Sequence, residues 1–330
     1  MSRLVVLGAG AWGTALANSY AGSGHQVTLW SIEPDHVQQM QAERQNRRYL
    51  PDLPLHDGLD ITGDFAQACQ DAELALIVTP VAGLRPTLAR LGAEFPSLPV
   101  LWACKGFEAG TGKLPHEVAD EYLAPSTGRG ILTGPSFADE VARGLPCAIT
   151  LASTDLEFAT HWVAQLIHPR LRLYANDDVI GAEIGGAVKN VLAIAAGIAD
   201  GLGYGLNARA ALITRGLAEI ARLSEALGGK RETLMGLAGM GDLILTCTGD
   251  LSRNRRVGLA LAEGRSLPQI LEALGHVAEG VLTTETVVRR AHEQGVDMPI
   301  TCAVHEVIQG RLAPRDAVEQ LMTREARTEA

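Results

Sequence analysis

Short apolar runs alternate with amphipathic stretches over the first half of the chain, and the short runs then disappear. Runs at 3–7, 26–30, 74–78 and 100–104 predict buried strands, with further strands at 130–132, 148–151 and 171–174. A less clear strand lies within 55–62. Helical spacing falls between them at 12–22, 34–45, 65–70 and 84–91. Apolar strands separated by helices predict a parallel sheet covered on both faces. From about residue 176 the strand pattern stops. Asn176 or Asp177 can cap a helix that runs to about Asp200. A second long helix is expected over 207–227, with Leu212, Ile213, Leu217, Ile220 and Leu223 on one face and Gly228-Gly229 at its end. Shorter helices are expected near 254–263, 267–274, 283–294, 301–309 and 314–323. The fold class is therefore α/β: a Rossmann-type, doubly wound domain over 1–176, followed by an all-α domain over 177–330. In such proteins ligands bind beyond the C-terminal ends of the strands, and the helical domain would wall that cleft.

The first strand breaks into Gly8-Ala9-Gly10-Ala11-Trp12-Gly13. Gly8 suits the tight turn, Gly10 the close approach of a pyrophosphate, and Gly13 the packing of the next helix on the sheet. That helix start also offers free N–H groups to an anion. Between a strand and a helix the pattern points to a bound dinucleotide; the plainer alternative is a glycine-rich turn with no ligand. The second strand ends at Trp30-Ser31-Ile32-Glu33-Pro34, with His36 near and no Lys or Arg before Arg44. NAD binders place an acid at this strand end and NADP binders an arginine nearby. Glu33 lies about one turn beyond the usual acidic position, so it is either a ribose ligand or a solvated helix start. The pattern leans toward NAD, or toward tolerance of both.

Composition narrows the class. With 330 residues, 47% hydrophobic and 20% charged, the chain can bury two cores. A net charge of −10 and a pI near 5.4 argue against a nucleic-acid surface, which would be basic. Cys69, Cys104, Cys147, Cys247 and Cys302 show no CxxC spacing, so neither a zinc site nor a disulfide framework is expected, and reduced thiols fit a cytoplasmic protein. No signal-peptide pattern opens the chain, and the apolar stretch 191–199 reads as a buried core helix.

Several segments carry candidate chemistry. Lys105 follows the fourth main strand, where it either holds a substrate oxygen or sits on the surface. Gly134-Pro135-Ser136-Phe137-Ala138 follows the next strand and alone is an ordinary turn. Lys189-Asn190 interrupts an apolar helix, which is costly unless the pair meets a partner or a polar cleft. Desolvation and nearby cations would make such a lysine a usable acid or base; a snorkelling lysine is the alternative. Gly185-Gly186, a turn earlier, leave room for a ligand or another backbone. Gly239-Met240-Gly241-Asp242-Leu243 reads as a tight loop whose aspartate bonds a substrate hydroxyl, orients Lys189, or simply caps a helix. Ser252-Arg253-Asn254-Arg255-Arg256 joins a helix cap to guanidinium groups, a good phosphate site, with Arg253 and Asn254 inward and Arg255 and Arg256 solvated.

Taken together, segments 8–17, 104–108, 134–138, 187–190, 239–243, 252–254 and 277–280 resemble the bacterial soluble NAD(P)-dependent glycerol-3-phosphate dehydrogenases, in the family's order. The resemblance implies interconversion of sn-glycerol 3-phosphate and dihydroxyacetone phosphate with NAD(H) or NADP(H) and no metal. It also implies a supply of glycerol phosphate for phospholipids. It makes Lys189 the proton acceptor in alcohol oxidation. Lys105, Gly134, Ser136, Lys189, Asp242, Ser252, Arg253 and Asn254 match its substrate-contacting positions. Ala11, Trp12, Ile32, Lys105, Ala138, Arg253, Val277 and Glu279 match its cofactor-contacting ones, beside Gly8, Gly10 and Gly13. A homodimer is a further expectation; nucleic acid and membrane insertion are not. Two departures stand out: Ile32 replaces a frequent His or Arg that can meet a 2′-phosphate, and Ala11 replaces a common serine. A hydroxyacid or 6-phosphogluconate-type dehydrogenase shares the architecture, but the Ser252–Arg256 run argues against it.

Overall fold

The computed structural model describes residues 1–274 and 278–324. The chain divides into two compact units, Met1–Glu183 and Ile184–Ala330. The expected boundary at 176/177 coincides with the end of the last strand, and the division falls further on, inside a helix.

The first unit runs β1 (Arg3–Leu7), α1 (Ala11–Gly22), β2 (Gln26–Trp30), α2 (Pro34–Glu43), β3 (Leu59–Thr62), α3 (Phe65–Cys69), β4 (Leu74–Ile77), α4 (Val81–Glu94) and β5 (Val100–Trp102). It continues with α5 (Pro115–Ala119), β6 (Arg129–Thr133), α6 (Ala138–Ala142), β7 (Cys147–Ala152), α7 (Leu156–Leu166) and β8 (Leu171–Asn176). The eight strands form one sheet in the order β3-β2-β1-β4-β5-β6-β7-β8. The order reverses between β1 and β4, which creates a crevice at their C-terminal ends. Central strands are apolar on both faces because helices cover both, and Val5, Val6, Leu76, Ile77, Val100 and Leu101 are fully buried.

All pairs are parallel except β6 with β7, which is antiparallel. The expectation of a wholly parallel sheet fails at that one pair. A parallel crossover needs a long return, usually over a full helix. The link from β6 to β7 holds only the five-residue α6, so the chain re-enters the sheet at the end it left. The five-residue helices α5 and α6 also escape the hydrophobic pattern, as does the longer α7. Asp155 starts α7 by accepting from the Glu157 and Phe158 N–H groups, at 3.0 Å each.

The second unit is helical. The helix α8 (Val179–Gly201) crosses the division; α9 (Gly205–Ala226), α10 (Arg231–Leu234), a π-helical turn at Leu237–Gly241 and α11 (Asp242–Thr248) follow. Then come α12 (Arg253–Ala262), α13 (Leu267–Leu274), α14 (Glu279–Glu293), α15 (Pro299–Ile308) and α16 (Pro314–Met322). At the start of α8 the capping residue is Asp178, whose Oδ1 accepts from Gly181 N–H at 2.8 Å; Asn176 in turn accepts from Asp178 N–H. By length and apolarity α8 could cross a membrane, but 94% of its most apolar window is buried inside the protein. A core helix meets the same test.

Glu183, on α8, is a buried carboxylate within the first unit. Its Oε1 accepts from Trp102 Nε1, at the end of β5, and from His116 N–H, both at 2.9 Å; Oε2 meets His116 Nδ1 at 2.5 Å. Burial pushes the Glu183 carboxyl up. Burial also works against the charged imidazole. The Glu183 bond, with the charges of Glu183, Glu117 and Asp120, outweighs it and raises His116 above 6.5. A histidine raised in the folded state contributes stability that is complete below its unfolded pKa and is lost as pH rises through its folded one. Thermal unfolding measured from about pH 6 to about pH 9 should therefore show the parent losing more stability, or gaining less, with rising pH than His116→Gln does. Parallel curves for the two proteins would overturn this assignment.

Candidate functional site

At the glycine turn, Gly8 has φ +121°, and a Cβ there would lie 2.7 Å from the Val78 carbonyl just past β4. A Cβ on Gly13 would lie 1.9 Å from the Gly8 carbonyl, so this glycine seats α1 on the turn itself. Gly10 differs: no atom lies within 4 Å of its Cβ position, and its φ of −69° suits any residue. The fold does not need a glycine there. What Gly10 keeps clear is the space over the first N–H groups of α1, which fits a pyrophosphate. Ala11, Trp12 and Ala138 pack together against the small cluster of Ala15, Leu50 and Val141. Ile32, just past β2, is 77% exposed.

Lys105 Nζ donates to the Gly134 carbonyl at 3.3 Å, and Ser136 Oγ donates to the same oxygen at 3.1 Å. Three expected site residues thus share one point beyond the ends of β5 and β6. A clamp that the sequence did not announce holds this region. Arg85, on α4, donates from Nε and Nη2 to the two carboxylate oxygens of Glu108, at 2.7 and 2.8 Å. The guanidinium holds the Glu108 carboxyl below its usual range. Glu108 stands three residues after Lys105.

In the second unit, Lys189 Nζ is paired with Asp242 Oδ1 and donates to Thr246 Oγ1 at 3.0 Å. All three residues are buried. Thr246 donates its own hydrogen to the Asp242 carbonyl at 2.6 Å, leaving its oxygen to accept from the lysine. The expected tight loop before Asp242 is instead the π-helical turn, closed by Gly241 N–H to Gly236 C=O at 3.1 Å. The chain there is apolar and continues directly into α11, so helical bonding persists and the glycines only widen it. A Cβ on Gly185 would lie 2.5 Å from the Ala238 carbonyl, so the room left by that glycine is filled by another backbone. Lys189, four residues on and on the same face of α8, is thereby brought to Asp242.

Asn254, at the start of α12, is buried. Its Nδ2 donates to Asn190 Oδ1 at 2.9 Å and its Oδ1 accepts from Gly280 N–H at 3.0 Å. Ser252 caps this helix by accepting from Arg255 N–H at 3.3 Å. Arg253 is exposed at the first helical position. Glu279 is half-buried at the start of α14, one residue before Gly280. Val277 lies outside the described residues. Arg255 corrects the expectation of a solvated side chain: it donates to Asp200 Oδ2 from Nε at 2.9 Å and from Nη2 at 2.7 Å, and to Asp250. Asp200 ends the apolar run of α8 and needs a counter-charge, which α12 supplies. Arg256 is exposed, as expected. Thr246 and Arg85 were missed; the first stands one helical turn after Asp242, a signal readable only once α11 is known. Among the described residues no group of three or more His, Cys, Asp or Glu could hold a metal ion.

A Rossmann-like α/β unit with an open glycine turn, joined to a helical unit with a buried lysine–aspartate pair, defines a dinucleotide-dependent dehydrogenase. The family model for the NAD-dependent glycerol-3-phosphate dehydrogenase N-terminus matches residues 3–159, and that for the C-terminus matches residues 178–319. A glycerol-3-phosphate dehydrogenase (NAD(P)+) of Aromatoleum aromaticum is 61% identical over 99% of this chain and 100% of its own length; one from Dechloromonas aromatica is 59% identical over 99% of each. The crystal structure of glycerol-3-phosphate dehydrogenase from Coxiella burnetii superposes with a TM-score of 0.92 at 44% identity, covering 98% of this chain and 99% of that one. The chain belongs to the bacterial NAD(P)-dependent glycerol-3-phosphate dehydrogenases, which interconvert glycerol 3-phosphate and dihydroxyacetone phosphate.

The open face of Gly10 makes a clean test. Gly10→Val places its Cβ in open space and alters a helix cap, so the melting temperature should move by about a few degrees. Affinity for both NADH and NADPH, read by calorimetric titration, should fall about tenfold or more, a loss of ~1.4 kcal/mol or more. Unchanged affinities would show that no pyrophosphate approaches this backbone.

Proposed function

We propose that the second unit performs the proton chemistry of this reaction through Lys189 and that the first unit holds the dinucleotide. The observation that carries the reading is the buried group of Lys189, Asp242 and Thr246. The Asp242 carboxylate and the Thr246 hydroxyl hold the Lys189 amine in one place, where it gives and takes a proton. In ketone reduction Lys189 gives it to the C2 oxygen of dihydroxyacetone phosphate; in alcohol oxidation it takes the C2 hydroxyl proton back. When bound, the nicotinamide supplies or accepts the hydride. Thr246 fixes where the ammonium points.

Substrate phosphate is assigned to Ser252, Arg253, Asn254 and the α12 start, where a guanidinium and the first N–H groups of a helix coincide. Lys105, with Gly134 and Ser136, supports charge that develops on the substrate oxygen. Gly8, Gly10, Ala11, Trp12, Gly13, Ile32, Lys105, Ala138, Arg253, Val277 and Glu279 are assigned to the cofactor, NAD(H) or NADP(H). The second unit is assigned to the 6-phosphogluconate dehydrogenase C-terminal type. A cytoplasmic homodimer supplying glycerol phosphate for phospholipid synthesis completes the reading.

Lys189→Met should lower turnover by about 10²- to 10⁴-fold, the range typical of a lost acid–base group, while cofactor affinity stays near that of the parent. Near-normal turnover would refute the assignment. Arg253→Ala should raise the KM for dihydroxyacetone phosphate about 10-fold or more, as loss of a charge-assisted hydrogen bond does. A parental KM in that variant would place the phosphate elsewhere.

A further inference from the structure

The segment between α2 and β3 carries three arginines; it is distant from the glycine turn in sequence but joined to it in space. Asn46, fully buried, ties this segment to the turn. Its Nδ2 donates to the Ala9 carbonyl at 2.9 Å and to Thr14 Oγ1 at 2.8 Å; its Oδ1 meets His36 Nε2 at 3.0 Å and accepts from Tyr49 N–H at 3.1 Å. Both amide hydrogens and both acceptor positions are used, so the segment has one seat. Ala9 stands between Gly8 and Gly10.

That seat sends the three cations to different places. Arg44 turns back and donates to the carbonyls of Asp57 and Leu59. Arg47 faces away, with Glu43 as its partner at 3.0 Å. Arg48 reaches Glu33, the residue that opens α2 just past the end of β2, and its guanidinium lies over the Tyr49 ring at 5.1 Å from the centroid. The strand end that lacks a cation in the sequence therefore has one in the fold. In a Rossmann unit the adenosine ribose lies at this strand end, with acids bonding its hydroxyls and arginines its 2′-phosphate. Here one acid and one arginine occupy the place together and neutralise each other. Ile32 between them and the strand is 77% exposed and offers no hydrogen bond.

We propose that Arg48 is the residue that receives the 2′-phosphate of NADPH, and that Glu33 sets cofactor preference by competing for it. With NADH the ion pair stays closed, and the carboxylate has oxygens left for the ribose hydroxyls. With NADPH the phosphate displaces Glu33 from the guanidinium, a planar donor that takes a phosphate with two parallel bonds. The displacement costs the pair but not much, because Arg48 and Glu33 are 52% and 45% exposed and water screens them. The proposal rests on the reading of the glycine turn as the dinucleotide site.

The test compares dissociation constants for NADPH and NADH, measured by calorimetry on the full chain, with kcat/KM for both. Arg48→Ala should lower NADPH affinity about tenfold or more relative to NADH, and Arg48→Lys should restore part of it. Glu33→Gln should shift the ratio the other way, toward NADPH. Both side chains are exposed, and melting temperatures close to the parent's will show that the variants fold. An equal loss for both cofactors in Arg48→Ala, or an unmoved ratio in both Arg48→Ala and Glu33→Gln, overturns the proposal. Failure of the underlying site reading looks different: Gly10→Val would then leave both affinities unchanged.

Discussion

A buried ammonium on an apolar helix has to find a counter-charge, and much of the helical unit is arranged to supply one. An isolated ion in that setting costs several kcal/mol, more than a marginally stable protein can leave uncompensated. Lys189 meets Asp242 because the α8 backbone approaches the π-helical turn at Gly185, and because that turn runs straight into α11. Asp200, further along α8, poses the same problem with opposite sign. Arg255 and Arg209 answer it, and in doing so Arg255 holds the start of α12 against the end of α8. The segment assigned to the phosphate is thus positioned by an ion pair that takes no part in the chemistry.

The first unit solves a different problem, a tight turn between β1 and α1. Gly8 and Gly13 are consumed by packing, and Gly10 is the one glycine of the three that leaves open space. Polar groups then fasten the surroundings, one of them buried and one pair half-buried. The Asn46 amide bonds the turn to the segment after α2, and the Arg85–Glu108 clamp fastens the loop after Lys105 to α4. A half-satisfied Asn46 would cost more than an apolar replacement, since a buried polar group without partners loses hydration and regains nothing.

Much of this was legible in the order of residues. Apolar runs of strand length, the glycine turn and the change to long helical periodicity near residue 176 describe the α/β and all-α halves. Periodicity works because burial on two faces demands apolar residues at every position of a central strand. It fails where an element is too short to show a period, as in α5 and α6, and where direction depends on the length of a link, as between β6 and β7. Lys189, Asp242, Ser252 and Asn254 stood out because polar residues in apolar or capping contexts are costly unless used. Thr246, Arg85 and Arg48 did not, because an isolated threonine or a surface arginine has the same sequence signature whether it faces solvent or a site.

What the residue order determined by itself was the inventory: a glycine turn, a lysine that needed a partner, a capped helix start beside guanidinium groups, and the family to which the chain belongs. Pairing was decided only in three dimensions. Arg255 turned inward to Asp200, Arg48 came back to the end of β2, and the Asp242 loop became a helical turn. The physical reason is the same in each case. Local preference sets which conformations a segment can adopt, whereas the partner of a charged or polar side chain is chosen by whichever distant segment the core packing brings within about 3 Å.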